Sequence, residues 1–258
     1  MTQAIHITPI PAFNDNYIWC LHTDKDAVVV DPGDPDAVET FLQRRGLVLS
    51  GILITHHHWD HTDGLPALGQ RWPDAPVFGP DNPTIDGITH TVGDGDTVTL
   101  AGLSLSLDVI AVPGHTLDHI AYVSDLGVFC GDTLFSAGCG RLFEGTAQQM
   151  HDSLQRLMQL NDDMAVYCTH EYTAANVRFA LMVEPQNADL QAFSRWVSDQ
   201  RAKPAPTLPS TIGREKRINP FVRVTQPTVL DSVKQHCQLA DEAPASVFAA
   251  LRKWKDTA

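Results

Sequence analysis

The strongest chemical signal of this chain is one short run, Thr55-His56-His57-His58-Trp59-Asp60-His61. Imidazoles and carboxylates together are ligands for divalent metals. Side chains at i and i+2 of an extended segment point the same way, so His56 and His58 can converge on one ion. A turn after Trp59 then aims Asp60 and His61 at a second ion, the arrangement by which paired metals clamp both oxygens of a displacement. Adjacent residues cannot both point inward from a regular strand, so this division needs the irregular backbone of a strand end. The run is internal and contains Asp, which separates it from an artificial tag.

The elements around it supply that setting. Gly51-Ile52-Leu53-Ile54-Thr55 is an apolar strand leading straight into His56. Upstream, Ala27-Val28-Val29-Val30 is a buried strand stopped by Asp31-Pro32-Gly33-Asp34, followed by a helix over 36–45 closed by Gly46. A helix is expected over about 65–72. Strands follow at 97–100, 103–107, 109–112, 121–123 and 128–130, broken by Gly and Pro. After Gly145 the period becomes helical: Met150, Leu154, Leu157 and Leu160 suit one helix, 165–169 one last strand, and helices are expected over 173–183, 189–202, 229–238 and 245–255. The expected architecture is an α/β domain over 1–172 and a small helical domain over 173–258.

Composition narrows the function. The chain has 258 residues, 43% of them hydrophobic, too long for a disulfide miniprotein and too apolar for disorder. No apolar run approaches the ~20 residues that span a bilayer, and the first basic residue is Lys25, so neither membrane insertion nor a secretory signal is expected. Five cysteines without a C-x-x-C pair read as reduced thiols, which places the chain in the cytoplasm and argues against thiolate-held zinc. Through His170 the chain carries 6 Lys and Arg against 22 Asp and Glu, net −16; beyond it, 12 against 9, net +3, which recovers the total of −13. Without a basic stripe, nucleic acid is a poor partner. Eleven of the 12 histidines lie in the acidic part, as a metal site requires.

The histidine run resembles the T-H-x-H-x-D-H signature of the metallo-β-lactamase superfamily, with His57 and Trp59 at its variable positions. That resemblance implies an αββα sandwich whose remaining ligands recur at later strand ends. Three runs match: Pro113-Gly114-His115-Thr116, Gly131-Asp132-Thr133 and Thr169-His170-Glu171-Tyr172. Carried over, the pattern puts His56, His58 and His115 on one metal and Asp60, His61 and His170 on the other, with Asp132 bridging. A hydroxide between the metals, held by Asp60 and Asp132, is the implied nucleophile. Two divalent cations, two carboxylates and one hydroxide leave a net +1 to attract a carbonyl, and a metal-bound water ionises near pH 7. The cofactors implied are two divalent metal ions per chain, zinc foremost, with iron and manganese compatible. Asp31, in Val30-Asp31-Pro32-Gly33, matches a strand-end Asp that supports a ligand, an Asx turn being the plainer role.

Other runs are similar to the hydroxyacylglutathione hydrolases, the glyoxalase II family: Phe13-Asn14-Asp15-Asn16-Tyr17, Gly131-Asp132-Thr133-Leu134-Phe135, Gly138-Cys139-Gly140-Arg141, Asn219-Pro220-Phe221 and Arg252-Lys253-Trp254-Lys255. The family resemblance implies hydrolysis of S-D-lactoylglutathione to D-lactate and glutathione, the last step of methylglyoxal detoxification, by a monomer acting on a small molecule. Substrate contacts would fall on Arg141, Phe143, Tyr172, Arg252 and Lys255. Arg252 and Lys255, at i and i+3, would grip the glycine carboxylate; on sequence alone they also suit a solvated helix face over Phe248, Leu251 and Trp254. Two positions depart from the family pattern. Phe143 replaces a substrate-binding Tyr, a loss of about 0.5–1.5 kcal/mol in binding. Asp118 replaces a Gly, and a left-handed backbone there would suit Asp better than most residues. His119 reads as structural, and Cys130 and Cys139 as small packed residues. A mononuclear iron dioxygenase acting on glutathione persulfide, a lactonase and a non-catalytic metal protein are the rivals; the complete second-metal set counts against the first.

Overall fold

The computed structural model describes residues 4–258. Its contacts divide the chain into two compact units. The first runs to Ala111 and adds Asp118–Gly131; the second joins Val112–Leu117 to Asp132–Ala258. The division thus interleaves along the chain, where the pattern of strands and helices places a single boundary at residue 172.

In the first unit, strands β1 (His6–Ala12), β2 (Asn16–His22), β3 (Asp26–Val30), β4 (Val48–Leu53), β5 (Val77–Gly79) and β6 (His90–Thr91) lie side by side in sequence order. β1, β2 and β3 are antiparallel, and from β3 to β6 the pairing is parallel. Parallel neighbours need crossovers, which α1 (Pro35–Arg45) supplies between β3 and β4, and α2 (Trp59–Thr62) with α3 (Leu65–Arg71) between β4 and β5. Asp34 caps α1 through the backbone N–H groups of Asp36 and Ala37, and Gly46 ends it at φ 67°. One sheet face, with Ile18, Cys20, Val29 and Ile52, packs under Val38, Leu42, Leu65 and Leu68 of these helices. β2 is buried along its whole length, as a strand covered on both faces must be.

A second, antiparallel arrangement follows: β7 (Thr97–Leu100), β8 (Leu105–Ala111), β9 (Ile120–Ser124) and β10 (Gly127–Gly131), in the order β10-β9-β8-β7. The fully buried Tyr122 of β9 donates its hydroxyl to the Ile54 carbonyl, 2.8 Å away just beyond β4, and so ties the two sheets. The two strands expected over 103–112 are one. Leu103 belongs to a 3₁₀ turn and Ser104 takes φ 50°, so β8 starts at Leu105 and passes through Asp108, whose carboxylate accepts from Thr97 across the pair. β1, β2, β5 and β6 lie outside the expected set.

The second unit holds the hairpin β11 (Leu134–Phe135) and β12 (Gly138–Cys139), then α4 (Ala147–Leu157), whose N-terminus carries a reciprocal capping box between Thr146 and Gln149. β13 (Ala165–Cys168) pairs antiparallel with the short β14 (Ser210–Thr211). Helices α5 (Thr173–Val183), α6 (Ala188–Arg201), α7 (Ile212–Ile218), α8 (Pro227–His236) and α9 (Pro244–Thr257) complete it. α5 spans the expected residues, and α6, α8 and α9 fall within two residues of the periodic patterns. Val177, Ala180, Leu190, Phe193, Val197 and Ile218 form a core among α5, α6 and α7.

Candidate metal centre

The first unit presents four of the expected ligands on the chain that leaves β4. Beyond β4 the chain bends at His56 and is extended at His58, at φ −61° and ψ 145°, and α2 then turns at Asp60 and His61. The required irregularity is thus a four-residue helix rather than a simple turn. His56 Nε2 faces His58 Nδ1 at 3.1 Å, the His56 and His61 rings stand 4.1 Å apart, and His61 Nε2 lies 3.6 Å from Asp60 Oδ2. His56 and His61 are fully buried.

Hydrogen bonds assign the protons. Thr55 Oγ1 donates to Asp31 Oδ2 at 2.8 Å, so it accepts at 3.0 Å from His56 Nδ1–H, which leaves a lone pair on His56 Nε2. Asp31 also accepts from the Thr55 backbone N–H at 2.8 Å and stands 3.0 Å from His61 Nδ1. It does this from φ 53°, a conformation Asp tolerates. Its side chain therefore supports the candidate ligands His56 and His61, a larger role than a turn. Asp60 Oδ2 accepts from Asn16 Nδ2 at 3.0 Å. Gly33 allows the close crossing beneath α2: a Cβ there would lie 1.9 Å from the Asp60 carbonyl oxygen.

The second unit presents the other three. His115 Nδ1 faces the Arg141 carbonyl at 2.8 Å; a carbonyl only accepts, so Nδ1 carries the proton and Nε2 the lone pair. Asp132 Oδ2 lies 3.5 Å from His115 Nε2 and 3.3 Å from His170 Nε2. One carboxylate oxygen thus faces two imidazoles, as a bridging ligand must. Gly140 crosses so near that a Cβ would fall 2.0 Å from the Asp132 carbonyl oxygen. The Tyr172 ring stacks on His170 at 4.7 Å and 2°, and Phe143, largely exposed, meets His115 edge-on at 5.2 Å.

These donor sets fit divalent ions. Ligand atoms about 2.0–2.1 Å from a tetrahedral ion stand about 3.4 Å from one another. The donor pairs within the two units, at 3.1, 3.6, 3.5 and 3.3 Å, scatter about that edge.

Arg141, Arg252 and Lys255 belong to the second unit. Arg252 is buried, with Nη1 donating to the Cys139 carbonyl at 3.1 Å and Nη2 to Asp256 at 2.9 Å; Arg141 Nε stands 3.5 Å from the same carboxylate. Lys255 donates to Asn176 Oδ1, and burial, with the charge of Arg252, brings its pKa down to about 8. Burial pushes the Cys139 thiol up, which suits a packed residue.

Asp118 does not take a left-handed backbone. Its Oδ1 lies 3.0 Å from His57 Nδ1 and its Oδ2 accepts from Asn82 at 2.8 Å. His119 stacks on His56 at 4.5 Å and faces the Ile120 carbonyl, a packing role. Asn16, Thr55 and the Arg141 carbonyl are parts of the site that sequence reasoning missed. Asn16 and Thr55 lie in runs whose pattern gave them no role, and the Arg141 carbonyl acts through a bond with no local pattern.

Residues 13–82 and 74–170 match the metallo-β-lactamase superfamily, and 171–258 match the hydroxyacylglutathione hydrolase C-terminus. The hydroxyacylglutathione hydrolase of Aliivibrio salmonicida is 52% identical over 97% of this chain and 98% of its own. That of Nitrosomonas eutropha is 48% identical over 98% of each chain. The crystal structure of ETHE1 from Myxococcus xanthus superposes with a TM-score of 0.65 at 26% identity, covering 98% of this chain and 99% of its own. Fold and sequence thus define a metal-dependent hydrolase fold of the metallo-β-lactamase class, with sheets, flanking helices and a C-terminal helical region. Within that class, the chain belongs to the hydroxyacylglutathione hydrolase family.

Proposed function

We propose that the chain hydrolyses the thioester of S-D-lactoylglutathione to D-lactate and glutathione, as the last step of methylglyoxal detoxification. His56, His58 and His115 would hold one divalent ion and Asp60, His61 and His170 the other, with Asp132 completing both ligand sets. The observation that carries this reading is the spacing of ring nitrogens and carboxylate oxygens near 3.4 Å in both units, in a chain about half identical to named hydroxyacylglutathione hydrolases. When bound, two such ions supply positive charge for a carbonyl oxygen and acidify water toward pH 7, zinc being favoured and iron or manganese compatible.

The chain's own residues do the rest. Asp31, through Thr55, keeps the proton of His56 on Nδ1, and the Arg141 carbonyl does the same for His115, so both rings present Nε2. Asn16 holds the Asp60 carboxylate in place. Residues 1–172 carry this chemistry and 173–258 most of the substrate grip. Arg252 and Lys255 take the glycine carboxylate, Arg141 adds charge, and Tyr172 and Phe143 flank the tripeptide. No side chain is needed to protonate the leaving group, since a thiol of pKa about 8.5 departs as thiolate. All five cysteines are free thiols and no helix of the described residues can cross a membrane, which supports a cytoplasmic setting.

Thiol release from S-D-lactoylglutathione by protein of measured metal content tests the reading. Two metals per chain with thiol release is the expected result. Two metals with no thiol release, or oxygen consumption on glutathione persulfide with one iron per chain, would overturn it.

A further inference from the structure

Arg141, Arg252 and Lys255 place three cations around one carboxylate, Asp256, in the second unit. The guanidinium of Arg252 lies over the Phe221 ring at 5.2 Å and is more than nine-tenths buried. Its Nη1 is spent on the Cys139 carbonyl, and its Nη2 donates to Asp256 Oδ1 at 2.9 Å. Its Nε is buried with no hydrogen-bond partner. Nε and Nη2 together form an edge that matches the two oxygens of a carboxylate. Asp256 engages one of those two positions, and the other points to an acceptor that the chain does not provide.

The environment favours a second anion. Lys255, its Nζ over the Phe179 and Phe221 rings at 5.8 and 5.7 Å, titrates near 8 because burial and Arg252 disfavour its charge. Asp256 has an alternative seat, since its Oδ1 is already 3.5 Å from Arg141 Nε, and both of those side chains reach solvent, at 34% and 60% exposure.

We propose that Asp256 is an internal stand-in for the ligand's carboxylate, holding one position of the Arg252 edge until an incoming carboxylate takes both and displaces it onto Arg141. The inference rests on the proposed function, which makes that ligand the glycine end of glutathione. Asp256 is then a specificity-determining residue. It raises the threshold for every ligand at this edge, and a bidentate carboxylate clears it better than an amide with one acceptor oxygen.

The test uses the metal-loaded full chain and its Asp256→Asn and Asp256→Ala variants. KM and kcat are measured for S-D-lactoylglutathione, and Kd for S-methylglutathione and its glycine-amide analogue. Asn keeps an oxygen for Arg252 Nη2, so it guards against a folding defect. The expected result in both variants is a fall of about three- to tenfold in KM and in the S-methylglutathione Kd, with the amide's Kd falling at least as far and kcat within about twofold. A raised KM would mean that Asp256 positions Arg252, and an unchanged KM that it does not meet the ligand; either overturns the inference while wild-type turnover leaves the proposed function intact. Wild-type protein that neither cleaves the thioester nor binds S-methylglutathione overturns both.

Discussion

The Thr55 hydroxyl has one proton to give, and Asp31 takes it. The consequence passes to His56, whose own proton must sit on Nδ1 and whose Nε2 is thereby presented as a ligand. Outer partners of this kind typically contribute 10- to 100-fold in metal affinity or activity. Thr55→Val keeps the shape and removes both bonds, so metal affinity is expected to fall by about that factor in a chelator competition; unchanged affinity would refute the assignment. Removing a ligand is harsher. Asp60→Ala or His170→Ala should leave about one metal per chain and reduce kcat by orders of magnitude, whereas full activity with two metals would sink the binuclear reading. At the far end of the substrate, Arg252→Ala should raise KM more than it lowers kcat, since the contact is remote from the reacting bond. Lys255 adds a pH dependence. With its pKa lowered to about 8, the ammonium is present below that pH and lost above it, so KM is expected to rise as pH passes 8. A Lys255→Arg variant, which keeps its charge, should show no such rise in steady-state kinetics.

At the scale of elements, the β11–β12 hairpin depends on one buried carboxylate. Glu215 of α7 accepts from the Ala137 backbone N–H at 2.8 Å, from Asn219 Nδ2 at 2.9 Å and from the Ser210 hydroxyl. Asn219 in turn donates to the Phe135 and Gly138 carbonyls, and Ala137 holds φ 55° between the two strands. This hairpin carries Cys139, on which Arg252 rests, and Phe135, which meets His170 and Tyr172 edge-on. Glu215→Ala leaves the Ala137 N–H and the Ser210 hydroxyl without their acceptor and is expected to cost about 2 kcal/mol or more in a denaturant titration. Burial raises the Glu215 pKa above 4.5, so the native state holds its proton more tightly than the unfolded chain. Its contribution is therefore fullest below about pH 4.5 and declines as pH rises through the native value, a decline that Glu215→Gln removes. The bonds that tie α7 and its end to the hairpin span 78 to 84 residues, which is why the hairpin escapes a reading by periodicity. The long helices α5 and α6 were legible because their apolar spacing repeats over several turns, and α1 because Asp31-Pro32-Gly33-Asp34 and Gly46 bracket it. β2 was not, because a strand buried on both faces shows no alternation and begins with a polar Asn16 that serves Asp60. The candidate ligands were legible for the opposite reason. Each follows an apolar run, while the partners that aim them lie up to 44 residues away.

At the scale of the molecule, charge and chain division are two views of one requirement. The acidic stretch ending at His170 contains all seven proposed ligands, and the +3 remainder contains Arg252 and Lys255 for an anionic tripeptide. The compact units cut across that division: four ligands lie in the first unit and three, His115, Asp132 and His170, in the second. Ions bound by both sets would bind the native arrangement and not the unfolded chain, so they stabilise by mass action, by about 2.7 kcal/mol at a hundredfold excess over Kd. Chelation is therefore expected to lower Tm by several degrees, reversibly on adding zinc back, with the fall absent in a variant lacking Asp132. A Tm that ignores chelator in protein shown to have lost its metals would mean that the two ligand sets fold independently of any shared ion.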